Sequence, residues 1–269
     1  MNYHFDNFKT LTISDLNLMK LSKEKISCLT AYDASFSFLL DKVGIDVMLV
    51  GDSLGMVIQG HKTTLPVTIT DMVYHTRNVV TARKRAFIIS DMPFASYATP
   101  EQALLNATLL MQKGEAQMVK LEGDKKEIIE FLVQQGIPVC AHLGLLPQSI
   151  NCIGGYKVQG KDKAQAQEII LAAKRMEAAG AGLLVLECVP ALLASEISNL
   201  LNIPVIGIGA GNGCDGQVLV LYDLLGLTPG EQPRFSKNFL TEANNIESAI
   251  RNYHQAVKSI QFPDSQHSY

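Results

Sequence analysis

The chain has 269 residues, 47% of them hydrophobic and 18% charged, with a formal charge of −3. That length exceeds an ordinary domain but is normal for an α/β barrel kept as one unit, and the apolar share supplies a large core. The weak negative charge gives no basic footprint for nucleic acid or membrane lipid, and no stretch approaches the ~20 unbroken apolar residues that span a bilayer.

The chain opens on MNYHFDNFKT, which lacks the basic-then-apolar pattern of a signal peptide. Residues 13–24 are expected to form an extra N-terminal helix outside the main fold. Eight short apolar runs follow: SCLTAY (27–32), VMLVGD (47–52), FIISD (87–91), MVKLEG (118–123), VCAHLG (139–144), LLVLECV (183–189), VIGIGAG (205–211) and VLVLYD (218–223). Near-continuous Val, Ile and Leu is what a parallel strand buried on both faces requires. The last run is ambiguous between strand and helix.

Between the runs lie helix signals. Thr99-Pro100-Glu101-Gln102 has capping-box spacing with Pro at the first helical position, and Gly114 supplies a stop. Asp124 is expected to open the next helix, with Glu127 three residues on, and Gly136 and Pro138 to close it. A further helix is expected from Lys161 to Ala179, and another from Pro190 to a point before Pro204. Strands alternating with helices in this number favour a closed (β/α)8 barrel, the TIM barrel of the α/β class, over an open sheet. No repeat, low-complexity tract or linker appears, so residues 1–269 are expected to form one domain.

The five cysteines, Cys28, Cys140, Cys152, Cys188 and Cys214, are scattered without a C-x-x-C pair. This speaks against a disulfide framework or structural zinc and for a reducing compartment, the cytoplasm.

Several runs carry, near their ends, residues that a buried apolar strand does not need. These are Asp52 and Ser53, Asp91, Lys120 and Glu122, His142, and Glu187. Barrel active sites lie at the carboxyl ends of the strands, where such a gathering has a functional reading. Asp52 and Asp91 end adjacent strands, and two close carboxylates suit Mg²⁺, which keeps several waters. The competing reading has each Asp begin a turn or cap a helix.

Lys120 and Glu122 are two apart and share one strand face. They form either a plain ion pair or a functional set, in which Lys120 binds a substrate carboxylate and Glu122 helps hold the metal. A Schiff-base role for Lys120 is disfavoured by the surrounding carboxylates, which stabilise the ammonium. Glu187 is a candidate base, with a cap on the helix at Pro190 as the alternative. His142 is either a substrate contact or a satisfied core histidine, and Cys188 reads as a packed small hydrophobe.

Gly207-Ile208-Gly209-Ala210-Gly211 is not a nucleotide-binding fingerprint; it reads as a tight turn bringing backbone close to the pocket. The glycine-flanked loop 154–160 is either a lid or a surface turn.

The segments VGDSLGMVIQGHKTTLPVT (50–68), YHT (74–76), SDMPF (90–94), YATPEQA (97–103), VKLEG (119–123), HLGLLPQS (142–149), GGYKVQG (154–160), LLVLECVP (183–190) and IPVIGIGAGNGCDGQVLV (203–220) occur in one order along most of the chain. Together they closely resemble the ketopantoate hydroxymethyltransferase family. The resemblance implies a barrel of the phosphoenolpyruvate/pyruvate-domain type. It also implies Mg²⁺-dependent transfer of a one-carbon unit from 5,10-methylenetetrahydrofolate to 3-methyl-2-oxobutanoate, in pantothenate and coenzyme A biosynthesis. By the same resemblance Asp52 and Asp91 bind the metal, and Glu122 completes or supports the site. Ser53 and Lys120, with Asp52 and Asp91, contact the oxo acid; Glu187 accepts the proton; and the assembly is a homodecamer. Two alternatives stand beside it: another metal-dependent 2-oxo-acid lyase or aldolase on the same barrel, and a catalytically silent barrel serving as a binding module.

Overall fold

The computed structural model describes residues 9–228 and 230–269. The stretch before Lys9, where a signal peptide was not expected, lies outside the described residues. Eight parallel strands close into a barrel in sequence order: β1 (Ile26–Thr30), β2 (Val47–Val50), β3 (Phe87–Asp91), β4 (Met118–Glu122), β5 (Val139–Gly144), β6 (Leu183–Glu187), β7 (Val205–Ile208) and β8 (Gly216–Leu219). Each is buried along nearly its whole length, which is why the strands read as apolar runs rather than alternating ones. Closure comes from β8 pairing with β1, Cys28 against Val218.

The helices are α1 (Ile13–Leu21), α2 (Ala34–Val43), α3 (Leu54–Val57), α4 (Ile69–Ala82), α5 (Pro100–Gln112), α6 (Lys126–Gln134), α7 (Ile150–Ile153), α8 (Lys163–Ala178), α9 (Ala191–Leu200), α10 (Leu221–Leu224) and α11 (Ile246–Lys258). Among the described residues no helix is long and apolar enough to cross a membrane. The α5 cap forms at Thr99, whose hydroxyl accepts from the Gln102 amide, while the Gln102 side chain reaches back to Ala98 N at 3.1 Å. The α6 cap does not form as expected: the helix begins at Lys126, and Asp124 instead takes two donors from Arg175 of α8. Both guanidinium donors converge on Asp124 Oδ2, so the side chain is turned toward α8 and leaves the α6 start uncapped. The ambiguous last run is both things in turn, a strand to Leu219 and then the short helix α10.

The extra helix α1 closes the floor of the barrel. Leu16 is fully buried. Gln117, just before β4, donates from Nε2 to Leu11 O at 3.0 Å. Lys20 donates to Asp215 Oδ2 at 2.6 Å, and Asp215 immediately precedes β8. At the β8–β1 seam, the Tyr253 hydroxyl of α11 lies 2.8 Å from Cys28 O and 3.0 Å from Gln217 O. With one end plugged, ligands have the carboxyl-terminal mouth as their route in.

Candidate active site at the barrel mouth

The mouth opens into a cavity of about 800 Å³ whose wall includes Asp52, Ser53, Asp91, Lys120, Glu122, His142 and Glu187. All seven residues picked out by charge or polarity at strand ends therefore meet in one space. Strand register explains the convergence. Asp91 pairs with Lys120, Glu122 with His142, and Glu187 with Gly144, so polar side chains from β3 to β6 share the inward face.

Asp91 is held at both oxygens. Lys120 Nζ donates to Oδ1 at 2.7 Å, and the Asp52 backbone N–H donates to Oδ2 at 3.1 Å. Gly51 belongs there because a Cβ would meet Ser53 Oγ at 2.7 Å and Asp91 Oδ2 at 3.6 Å. Burial, and next the neighbouring Asp91 charge, push the Asp52 carboxyl up to about 7. Burial opposes charge on Lys120, but Asp91, Glu122 and Asp52 outweigh it and raise its pKa, so it stays an ammonium. A Schiff-base lysine needs the neutral amine, which this setting disfavours.

Hard carboxylate oxygens on adjacent strand ends, mutually repelling and out of water, are a donor pair that fits Mg²⁺. Among the described residues no group of three or more His, Cys, Asp or Glu is gathered to cage a metal ion. The pair thus suits a cation that takes its remaining oxygens from substrate and water. Glu122 is engaged otherwise: its Oε2 accepts from the Gln148 backbone N–H at 3.0 Å. Burial drives its pKa well up, against the pull of Lys120.

Gln148 links these groups and had no charge to mark it. Its Nε2 donates to Asp52 Oδ2 and to Met92 O, each at 2.9 Å, while its Oε1 accepts from Tyr97 Oη at 2.5 Å. It lies in HLGLLPQS on a single 3₁₀ turn, and nothing in its type or spacing set it apart from a surface glutamine.

His142 lies between two acids. Its Nε2 is 3.3 Å from Glu187 Oε2 and its Nδ1 3.6 Å from Glu122 Oε1. Neither contact has hydrogen-bond geometry, and both ring nitrogens are buried without a partner among the described residues. Burial, then Lys120, push its pKa well down, leaving a neutral imidazole with an N–H to offer. A satisfied core histidine would not look like this. Glu187 has its carboxyl raised to about 8, chiefly by burial, with Lys120 opposing. It does not cap α9, whose start has no side-chain cap. Ser53 Oγ pairs with Tyr32 Oη at 2.8 Å.

Cys188 sits at φ +48°, a left-handed conformation that turns the chain directly after Glu187. Burial pushes its thiol up, in keeping with an inert packed residue. Of the loop 154–160, Tyr156, Lys157 and Val158 line the cavity, so the loop stands over the mouth. Cys152 is exposed on α7 just before it and is not part of the cavity wall. The 207–211 glycines serve packing rather than the pocket: Gly207 faces Cys214, Gly209 faces Phe235 and Gly211 faces Ala191, while Ile208 alone of that segment lines the cavity. Asp223, Arg234 and Tyr269 also line it and were not among the expected site residues, although Asp223 ends the last apolar run.

A parallel barrel that gathers buried carboxylates, a charged lysine and an unpartnered histidine at its carboxyl-terminal mouth has the arrangement of a barrel-mouth enzyme. The sequence profile of ketopantoate hydroxymethyltransferase matches residues 10–265. The chain is 58% identical to the 3-methyl-2-oxobutanoate hydroxymethyltransferase of Nitrosococcus oceani, covering 96% of this chain and 99% of the relative. It is 56% identical to that of Alkalilimnicola ehrlichii, covering 97% and 95%. The chain belongs to the ketopantoate hydroxymethyltransferase family, a family of transferases. Among solved structures, its fold is similar to phosphoenolpyruvate phosphomutase from Streptomyces platensis subsp. rosaceus, with a TM-score of 0.60, 12% identity, and coverage of 80% of this chain and 83% of that one. It is also similar to 2,3-dimethylmalate lyase, described as a PEP mutase/isocitrate lyase superfamily member, with a TM-score of 0.55, 13% identity, and coverage of 81% and 82%. These likenesses concern the fold alone, a closed parallel barrel with alternating helices.

Proposed function

We propose that the protein transfers a hydroxymethyl group from 5,10-methylenetetrahydrofolate to 3-methyl-2-oxobutanoate, giving ketopantoate for pantothenate biosynthesis, and that Mg²⁺ is required. The reading rests first on the family and the names of its relatives. The observation that carries the chemistry is one cavity shared by the Asp52–Asp91 pair, the cationic Lys120 and Glu187 with its raised pKa.

Asp52 and Asp91 would hold the metal. Glu122 supports them from behind, because Gln148 takes its backbone N–H to Glu122 and its side-chain amide to Asp52. Bound Mg²⁺ supplies Lewis-acid polarisation of the keto group, which acidifies C3. Lys120 and Ser53 bind the oxo acid's polar end, and His142 offers its N–H to a substrate oxygen. Fixing that end orients C3 toward the base. Glu187, in its deprotonated form, takes the C3 proton, and the electron pair left on C3 attacks the methylene carbon of the folate. One of that carbon's two C–N bonds breaks during the attack, and the freed nitrogen takes up a proton. Water then replaces the other nitrogen, leaving the hydroxymethyl group and releasing tetrahydrofolate. A cavity of about 800 Å³ is the size that drug-sized ligands occupy, far more than a five-carbon acid fills, and this supports a large co-substrate.

A reducing, cytoplasmic location belongs to the same reading, in keeping with cysteines that are all free. So does a homodecamer, which the family resemblance implies.

Glu187→Gln tests the assignment of the base. The variant is expected to bind 3-methyl-2-oxobutanoate normally while C3–H exchange in deuterated water falls by about 10² or more. Unchanged exchange would remove Glu187 from that role.

A further inference from the structure

The charged groups assigned above all come from β2 to β6. The rest of the mouth, from β7 through β8 to β1, presents Ile208, Val218, Val220 and Thr30 to the cavity, a wall without charge. Within that wall the buried ionisable group is Asp223 of α10, which lines the cavity and is only 5% exposed, while Glu231 and Arg234 line it from the loop that follows. Its Oδ1 accepts from Thr228 Oγ1 at 2.5 Å. Its Oδ2 receives no hydrogen bond, and no Lys, Arg or His lies at ion-pair distance, among the described residues. Asp46, by contrast, is buried near the barrel floor with Arg85 and Lys258 both paired to it.

A carboxylate in an apolar wall is expensive unless a partner meets it. Burial pushes the Asp223 carboxyl up, with the Thr228 hydroxyl only partly offsetting it. A ligand that completes Asp223 would set an apolar face against the wall and carry hydrogen-bond donors on one edge. A pterin fits both conditions. Its 2-amino group and neighbouring ring N–H form a parallel donor pair matching the two oxygens of a carboxylate, and Oδ1 keeps a lone pair free beside Thr228. Asp223 follows β8, the strand facing β4 and Lys120 across the closed ring. A ring anchored there extends over the barrel axis toward the oxo acid. Lys157, Lys161 and Arg234 outnumber Glu231 among the charged residues lining the cavity from its loops, a balance that suits the carboxylates of a glutamate tail leaving the mouth.

We propose that Asp223 anchors the pterin of the one-carbon donor, holding its 2-amino and N3 edge against the β7–β8–β1 side of the cavity. This rests on the folate reading above and goes beyond it by naming the group that recognises the heterocycle. Asp223→Asn keeps an oxygen for Thr228 but turns the other acceptor into a donor. It is expected to raise the KM for 5,10-methylenetetrahydrofolate and the Kd for tetrahydrofolate by about tenfold or more. The KM for 3-methyl-2-oxobutanoate, and its C3 exchange without folate, should stay unchanged. Thr228→Val, which removes only the internal partner, should leave the folate KM within about threefold of wild type.

On the wild-type protein, a tetrahydrofolate analogue lacking the 2-amino group should bind about tenfold more weakly, a readout that needs no variant to fold. The proposal is overturned by an unchanged folate KM in Asp223→Asn, by loss of C3 exchange in that variant, by an equal folate defect in Thr228→Val, or by full affinity for the desamino analogue. Absence of folate-dependent turnover in wild type would instead strike the folate reading itself.

Discussion

Burial does most of the electrostatic work at single residues in the mouth. Glu187 is raised to about 8 chiefly by its removal from water, so near pH 7 most molecules carry its proton. A base must be deprotonated to act. C3 exchange should therefore climb as pH rises through about 8 and level off above it, read by loss of the C3–H signal across pH 6–9.5. A rate flat across that range would contradict the assignment. Asp52, Asp91, Lys120, Glu122, His142 and Glu187 were legible from sequence because each is a charge or imidazole set in an apolar run. Gln148 and Tyr97, which hold Asp52 and the Glu122 backbone in place, were not, because an uncharged amide and a phenol in loops look like surface. Asp223 was hidden differently: it ends an apolar run, but the loop carrying Thr228 brings it its partner, and only the folded chain shows that its other oxygen has none.

At the scale of elements, the junction of β5 and β6 sets where Glu187 sits. Gly144 has φ +94°, and a Cβ there would collide with Glu187 O and come 2.9 Å from a Val189 methyl. The strands approach so closely that Leu145 N donates to that same carbonyl at 2.8 Å. Gly144→Ala must push the β6 end away and adopt a strained backbone as well. It is expected to lose roughly 3 kcal/mol of unfolding free energy in a denaturant titration, with a matching fall in C3 exchange. Wild-type stability would show that the contact relaxes freely. Strand existence was plain in sequence because burial on both faces leaves a continuous apolar run. Helix starts were less so: Asp124 had the right spacing to cap α6, yet a long-range pair with Arg175 prevails over it. The tight turn expected at the end of β7 does form, with Gly209 and Gly211 at positive φ, but what crowds Gly207, Gly209 and Gly211 is Cys214, Phe235 and Ala191 rather than the pocket, and only the tertiary fold supplies these.

Across the whole molecule the barrel divides its labour by end. At the floor, α1 and the Asp215 and Asp46 pairs satisfy their charges internally. At the mouth, Asp52, Glu122, His142 and Asp223 are left with shifted pKa values and spare hydrogen-bonding capacity, the state expected where ligands complete the set. The central claim, that these groups serve a metal-dependent transfer between an oxo acid and a folate, is tested most directly by turnover. The protein is incubated with 3-methyl-2-oxobutanoate, 5,10-methylenetetrahydrofolate and Mg²⁺, and ketopantoate is quantified with and without excess EDTA. Product is expected only when the oxo acid, folate and metal are all present, with activity restored by Mg²⁺ in excess of the chelator. Full turnover in EDTA, or no ketopantoate from the complete mixture, would contradict it.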